Sequence, residues 1–144
     1  MKPIMRHKAR FHALQALYQV LFTQDIAETV IVQHVDEINP DKVDVEYFRK
    51  LTVGILNDPA QLDEKFKPFL TRALSELTPI EHCVLRLATY ELLYCSEVPY
   101  KVVINEALEL NKAFGAQEGF KFVNGVLDKV AKQLRASELI DQGK

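Results

Sequence analysis

Apolar residues recur every three to four positions along almost the whole chain, the spacing of amphipathic helices and not the alternation of strands. The pattern predicts an all-α protein of about seven helices. A first helix covers roughly 4 to 23, with Ala13, Leu14, Leu17, Val20 and Leu21 as its buried stripe. A second spans 26 to 38, opened by Asp25 with Glu28 three residues on, a capping-box signature. Asn39-Pro40-Asp41 breaks the chain. A third helix follows from about 44 to 57 with Asp44 as cap, and Asp58-Pro59 starts a fourth that continues to about 74. Thr78-Pro79-Ile80-Glu81 opens the fifth with a capping hydroxyl, a proline at the first position and a glutamate at the third. That helix runs to about 95 and is apolar nearly all round, as a central helix is. Glu91 lies within its apolar surface, where a carboxylate needs a partner. Pro99 opens a sixth helix, whose stripe of Tyr100, Val103, Ile104, Ala107, Leu110 and Phe114 stops at Gly115. A seventh occupies about 118 to 135. The natural cut lies near 58, giving a three-helix subdomain over 1–57 and a helical subdomain over 58–135 within one 144-residue chain. Residues 136–144 read as a flexible tail.

Charge changes this picture at one end. The chain carries −2 overall, yet residues 1 to 24 hold Lys2, Arg6, Lys8 and Arg10 with no acid, so +4 there leaves −6 for the remainder. Cations at a helix N-terminus oppose its dipole by about 0.3–1 kcal/mol each, so an anion must answer them. Projected around the first helix, Phe11, Tyr18 and Phe22 border the buried stripe, and Lys8, His12, Gln15 and Gln19 lie beyond them. Phe11 and Phe22 are read as core; Tyr18, with a hydroxyl to satisfy, is the contact candidate. Arg6 and Arg10 align with the stripe but precede its first leucine, and are expected to overhang the end of the core.

A second signal lies in FKFVNGVLDKVAKQLR. Val123, Val126, Leu127, Val130 and Leu134 form the buried face, and Phe122 does not belong to it. Lys121, Lys129 and Lys132 share its polar side, and Gly125, one turn away, costs about 1 kcal/mol relative to alanine while leaving space beside the ring. A ring flanked by cations suits unstacked bases, with phosphates answering the charges. Cover by another part of the chain, or by a protein partner, is the alternative.

Catalytic signatures are missing. The four histidines show no HExxH spacing, no CxxC occurs, and no glycine-rich phosphate loop is present. Cys83 and Cys95 fall about 18 Å apart along one helix, too far for a disulfide. No cofactor is indicated. No apolar run approaches the roughly 20 residues of a membrane span and no signal peptide follows Met1; a cytoplasmic protein is expected.

The run TPIEHCVLRLATYELLYCSEVPYKVVINEALELNKAFG, followed by KFVNGVLDKV, closely resembles the C-terminal half of the bacterial NusB family of transcription antitermination factors. RHKARFHALQALY and DVEYFRKLTVGI fit as well, so the likeness covers nearly all of 1 to 135. The resemblance implies two packed helical bundles, no catalytic activity, and binding of single-stranded boxA RNA from ribosomal RNA leaders together with NusE, a small-subunit ribosomal protein. Transcribing RNA polymerase with other Nus factors is the implied setting; the sequence leaves weak self-association of the free protein open. Matched by position, the implied RNA-binding residues are Lys2, Arg6, His7, Lys8, Arg10, Gln15, Tyr18, Lys121, Phe122 and Asn124. The implied NusE contacts are Glu76, Glu81 and Arg86. A helical protein adaptor without specific RNA binding is the competing function.

Overall fold

The structure is a computed structural model that describes residues 3–115 and 119–138. The chain divides between Asp58 and Pro59 into two compact units. Seven α-helices occupy the described residues: α1 Pro3–Thr23, α2 Ala27–Glu37 and α3 Val45–Asn57 in the first unit, then α4 Pro59–Phe66, α5 Pro79–Tyr94, α6 Tyr100–Phe114 and α7 Phe120–Leu134 in the second. No strand occurs among the described residues, and no helix among them is long and apolar enough to cross a membrane.

In the first unit α1 packs on α3 and α2. Ala13, Leu14 and Leu17 of α1 are buried, as are Phe48, Leu51 and Ile55 of α3. The Asp44 carboxylate accepts the Tyr47 N–H at 3.0 Å and so caps α3, while its own backbone N–H donates to Met5 O of α1 at 3.1 Å. The start of α2 differs from the sequence expectation. Ile26 holds the cap position, without a side-chain cap, because Gln24 adopts the left-handed region at φ 61° and turns Asp25 back toward α1. There the Asp25 N–H donates to Thr23 Oγ1 and its carboxylate accepts from Gln19 Nε2.

In the second unit α5 packs against α4, α6 and α7, which accounts for its burial on nearly every side. Its start follows the expected reciprocal box: Glu81 N–H donates to Thr78 Oγ1 at 3.1 Å and Thr78 N–H to Glu81 Oε1 at 3.0 Å. Glu91 is fully buried. Helix α4 ends at Phe66, eight residues short of the expected end at 74. Pro68 has no N–H to continue the ladder and disfavours helical geometry in Lys67 before it, so the chain passes into a 3₁₀ turn at Lys67–Phe69. A second such turn, Leu74–Glu76, is held by the Ala73 N–H donating to Glu76 Oε1 at 2.9 Å.

Arg135, just past α7 and 7% exposed, closes the C-terminal end of α5. Its guanidinium donates to the carbonyls of Glu91, Leu92, Cys95 and Val98, at 2.8–3.2 Å. They gather at the helix end, where a cation answers the dipole; the Glu91 and Cys95 carbonyls accept the Cys95 and Val98 N–H groups as well. Arg135 is itself paired to Glu138, a residue of the segment read as a flexible tail, and Glu138 accepts the Tyr100 N–H at the start of α6. Residues 139–144 lie outside the described part. Replacing Arg135 by alanine strips the side-chain donors from several buried carbonyls at once. Urea denaturation of Arg135→Ala is expected to show a loss of about 2–4 kcal/mol, from desolvated acceptors at about 1–3 kcal/mol each, partly relieved by water; a loss below about 0.5 kcal/mol would contradict this role.

Candidate nucleic-acid interface

Helix α1 begins without an acidic residue in its first turn, and part of the missing negative charge comes from within the unit. Arg6 Nε lies 3.7 Å from Asp44 Oδ2, and its guanidinium sits 4.4 Å from the Tyr47 ring centroid. Arg10 reaches the same ring at 5.4 Å. Arg10 is 2% exposed, which corrects the expectation that it overhangs the core: its cation is a buried group facing Tyr47 and is not presented to an external phosphate. Lys2 lies outside the described residues.

The exposed cations among the described residues of this unit are Lys8, Lys42 from the α2–α3 connection, and Arg49 and Lys50 on α3. Lys8 and Lys42 together flank an open cleft of about 660 Å³ whose walls include His7, Phe11, His12 and Asn39. Burial pulls the His12 imidazole below its ordinary pKa, and the neighbouring His34 lowers it further against the opposing pull of Glu37. His34 is lowered by burial too, again against Glu37, and its Nε2 lies 3.2 Å from Gln19 Oε1, an acceptor that calls for the Nε2–H tautomer. Both rings are therefore neutral at pH 7. Glu37 also lines the cleft, so its charge rests on two lysines against one carboxylate.

Gln15 is exposed and Tyr18 half-buried. Tyr18 stacks on Phe22 with centroids 5.7 Å apart and planes 7° from parallel. Phe22 is 69% exposed and Phe11 36%, contrary to their expected place in the core. The reason is that α2 and α3 cover the Ala13–Leu14–Leu17 stripe and leave this flank open. The aromatic surface on α1 is wider than its sequence pattern indicates.

In the second unit Phe122 projects from the first turns of α7 and is half-buried, whereas Lys121 and Asn124 are exposed. A Cβ built on Gly125 meets nothing within 4 Å, so the surface one turn beyond Phe122 is open, as the glycine's position suggests. The ring is not bare, however. Arg72, from the irregular segment before α5, sets its guanidinium 3.8 Å above the Phe122 centroid and donates from NH2 to Glu81 Oε2 at 3.1 Å. Sequence reasoning missed Arg72, because a cation fifty residues from its aromatic partner, in a segment with no periodicity, gives no local signal.

The residues assigned to a protein partner are placed unequally. Glu76 is exposed, with one carboxylate oxygen holding its own turn. Glu81 is 6% exposed, and its two oxygens serve Thr78 and Arg72. Arg86 makes a two-bond fork to Asp63, Nε to Oδ1 at 2.9 Å and NH2 to Oδ2 at 2.8 Å. Bidentate arginine–carboxylate geometry orients both groups, so Glu81 and Arg86 each have a structural partner within the unit. His82 Nε2 joins the same Asp63 at 2.9 Å.

Cys83 beside this cluster is buried, and burial pushes its thiol up to about 12, so it is inert at neutral pH. Among the described residues no group of three His, Cys, Asp or Glu side chains is placed to hold a metal ion.

These features define an all-helical protein of two units, each presenting cations beside an exposed or half-exposed aromatic ring, the side-chain chemistry that single-stranded nucleic acid meets. The model of the NusB family matches residues 7–132. The transcription antitermination protein NusB of Tolumonas auensis is 52% identical over 134 residues, covering 93% of this chain and 97% of that protein. Its counterpart from Pseudoalteromonas atlantica is 50% identical, covering 96% and 99%. Among solved structures, T. maritima NusB superposes with a TM-score of 0.79 at 32% identity, over 88% of this chain and 90% of that one. A crystal structure of antitermination factors NusB and NusE in complex with double-stranded RNA matches with a TM-score of 0.81 at 25% identity, over 92% and 99%. The chain belongs to the NusB family.

The Asp63 cluster sets an acid limit on the second unit. Burial alone would raise the Asp63 pKa, but the hydrogen bonds and charges of Arg86 and His82 bring it below its ordinary 3.8. A carboxyl depressed in the folded state contributes stability that is fully present above its unfolded pKa and is lost as pH falls through the folded value. Unfolding free energy measured from pH 7 to pH 2 should therefore fall below about pH 4. Asp63→Asn should cost about 2–4 kcal/mol at pH 7 by leaving Arg86 without its carboxylate, and should shallow the acid limb; an unchanged limb would show that other carboxylates carry it.

Proposed function

We propose that the protein acts in transcription antitermination by binding boxA-type RNA through the cation-flanked rings of its two units, in company with NusE. Phe122 carries this reading. It is an aromatic ring left half-exposed off the buried Val123–Val126–Leu127–Val130 face of α7, with Phe120 at the helix start 47% exposed, and it is bordered by Lys121, Asn124 and the open surface over Gly125. Stacking of an unpaired base on such a ring is worth about 1–3 kcal/mol and needs no particular base. Lys8, Arg6 and Lys121 meet phosphates, and Gln15 and Asn124 offer amide donors and acceptors to base edges. Arg10 is left out of this set because it is buried.

Supporting the partners, the solved relative that contains NusE and RNA shares the fold over almost its whole length. The product of this chemistry is an assembly on the nascent transcript, in the cytoplasm, that helps RNA polymerase pass terminators with other Nus factors. No bond is made or broken. Glu76 is the exposed acidic group left to meet NusE, with Glu81 and Arg86 shaping the surface from beneath.

That relative was solved with double-stranded RNA, whereas stacking on Phe122 requires unpaired bases. Fluorescence anisotropy with boxA and scrambled single strands and a boxA duplex, each with and without NusE, separates these. The expected order is boxA strand over scrambled strand and duplex, strengthened by NusE. With about three phosphates neutralised, log affinity should fall against log salt with a slope of about −2. Phe122→Ala should weaken boxA binding about tenfold or more. Equal weak binding in every combination, or a Phe122→Ala variant as tight as its parent, would leave the helical adaptor as the better function, with the exposed Phe22 ring, stacked on half-buried Tyr18, as its anchor.

A further inference from the structure

Among the described residues, two arginines lie over aromatic rings while a capping carboxylate holds them, and the two arrangements differ at the ring. Arg6 lies over Tyr47 beside Asp44, and Tyr47 is 4% exposed. Arg72 lies over Phe122 beside Glu81, and Phe122 is half-exposed. The first is closed by its own unit. The second has its ring open to solvent; the two arginine side chains are alike in exposure, 31% for Arg6 and 34% for Arg72.

A guanidinium has five N–H donors in a rigid fork. Among the described residues Arg72 commits one nitrogen, NH2, to Glu81, and its flat face to the ring. Its other edge donors are uncommitted. Glu81 cannot move to absorb them, because it is buried and its second oxygen closes the capping box of α5. The cation is thus fixed in direction before any ligand arrives, so little side-chain entropy is lost when it binds one. Its stacking face is occupied, which leaves hydrogen bonds at the guanidinium edge as its means of recognition. That geometry suits phosphate oxygens, which accept paired N–H bonds from arginine.

We propose that Arg72 is an RNA contact of this protein: it meets the backbone phosphate that flanks the base stacked on Phe122. The base takes the ring surface that Arg72 leaves uncovered, over the open side of Gly125, a neighbour of Phe122 at three residues on the same helix. Glu81 is the positioning residue for this contact. The proposal rests on the RNA reading given above and adds to it a cation drawn from outside both basic segments.

The test uses the full chain and a single-stranded boxA oligonucleotide, in anisotropy titrations from low to moderate salt. Arg72→Ala should weaken binding about tenfold, the size of one charged hydrogen bond, and should make the salt slope shallower by about 0.7, one phosphate on a single strand. Arg72→Lys should keep the slope and recover only part of the affinity, because it keeps the charge without the fork. A series of oligonucleotides with one neutral methylphosphonate each identifies the linkage. One position should weaken the parent protein and leave Arg72→Ala unaffected.

If Arg72 only supports the Phe122 ring, Arg72→Ala will lower the thermal midpoint while the slope and the methylphosphonate pattern stay those of the parent, and the proposal falls. A relaxed base preference with an unchanged slope would also overturn it, since that marks a base contact. If the parent protein does not prefer boxA and Phe122→Ala changes nothing, the RNA reading itself fails. If the parent prefers boxA and Phe122→Ala weakens it while Arg72→Ala and Arg72→Lys keep the parent's affinity and slope, only the Arg72 contact fails.

Discussion

The second unit is organised through one carboxylate. Glu81 Oε1 accepts the Thr78 N–H and fixes where α5 begins, and α5 is the helix against which α4, α6 and α7 pack. Its Oε2 holds Arg72, which in turn covers Phe122 on α7. A buried carboxylate is costly unless its lone pairs are used, and here both oxygens are. The same group therefore sets a helix start in the core and the orientation of a ring at the surface. At the other end of α5, Arg135 plays the reciprocal part, supplying side-chain donors to the carbonyls gathered there.

Asp44 does comparable work in the first unit, capping α3 and drawing Arg6 toward Tyr47. This changes the meaning of the cations at the start of α1. Their unfavourable place on the helix dipole is answered partly from inside the unit, by one carboxylate and one aromatic face, so they do not all wait for an external anion. Arg10 belongs to the interior, and Lys8 with Lys42 remains outside. With His12 and His34 neutral at pH 7, the charge offered to a ligand is smaller and more localised than the run Arg6-His7-Lys8-Ala9-Arg10 suggests.

The two aromatic surfaces also differ in kind. Tyr18 and Phe22 stack nearly parallel on one helix face and present a broad apolar area beside polar residues. Phe122 is a single ring with one side taken by a cation. A stack of two rings tolerates many partners, including protein, whereas a ring with a fixed guanidinium beside it combines stacking with directed hydrogen bonding. The second arrangement is the more selective of the two.

Local chemistry determined much of this protein from the sequence. Helical periodicity gave the all-α class, Asp44 and the Thr78–Glu81 box gave helix starts, Gly115 gave a helix end, and the odd direction of Phe122 on an otherwise regular face separated it from the core. Each of these is decided within one or two turns. Where the sequence reading strayed, something nonlocal or irregular intervened. Gln24 took a left-handed conformation with no glycine to announce it, and Pro68 ended α4 where the apolar pattern ran on. Phe11 and Phe22 stayed exposed because α2 and α3 covered a different stripe. Only the tertiary structure decided the fate of the charges. Arg10 was withdrawn, Arg86 was locked to Asp63, and Arg72 was brought over a ring fifty residues away, because charge pairing depends on distances that periodicity along a chain does not encode.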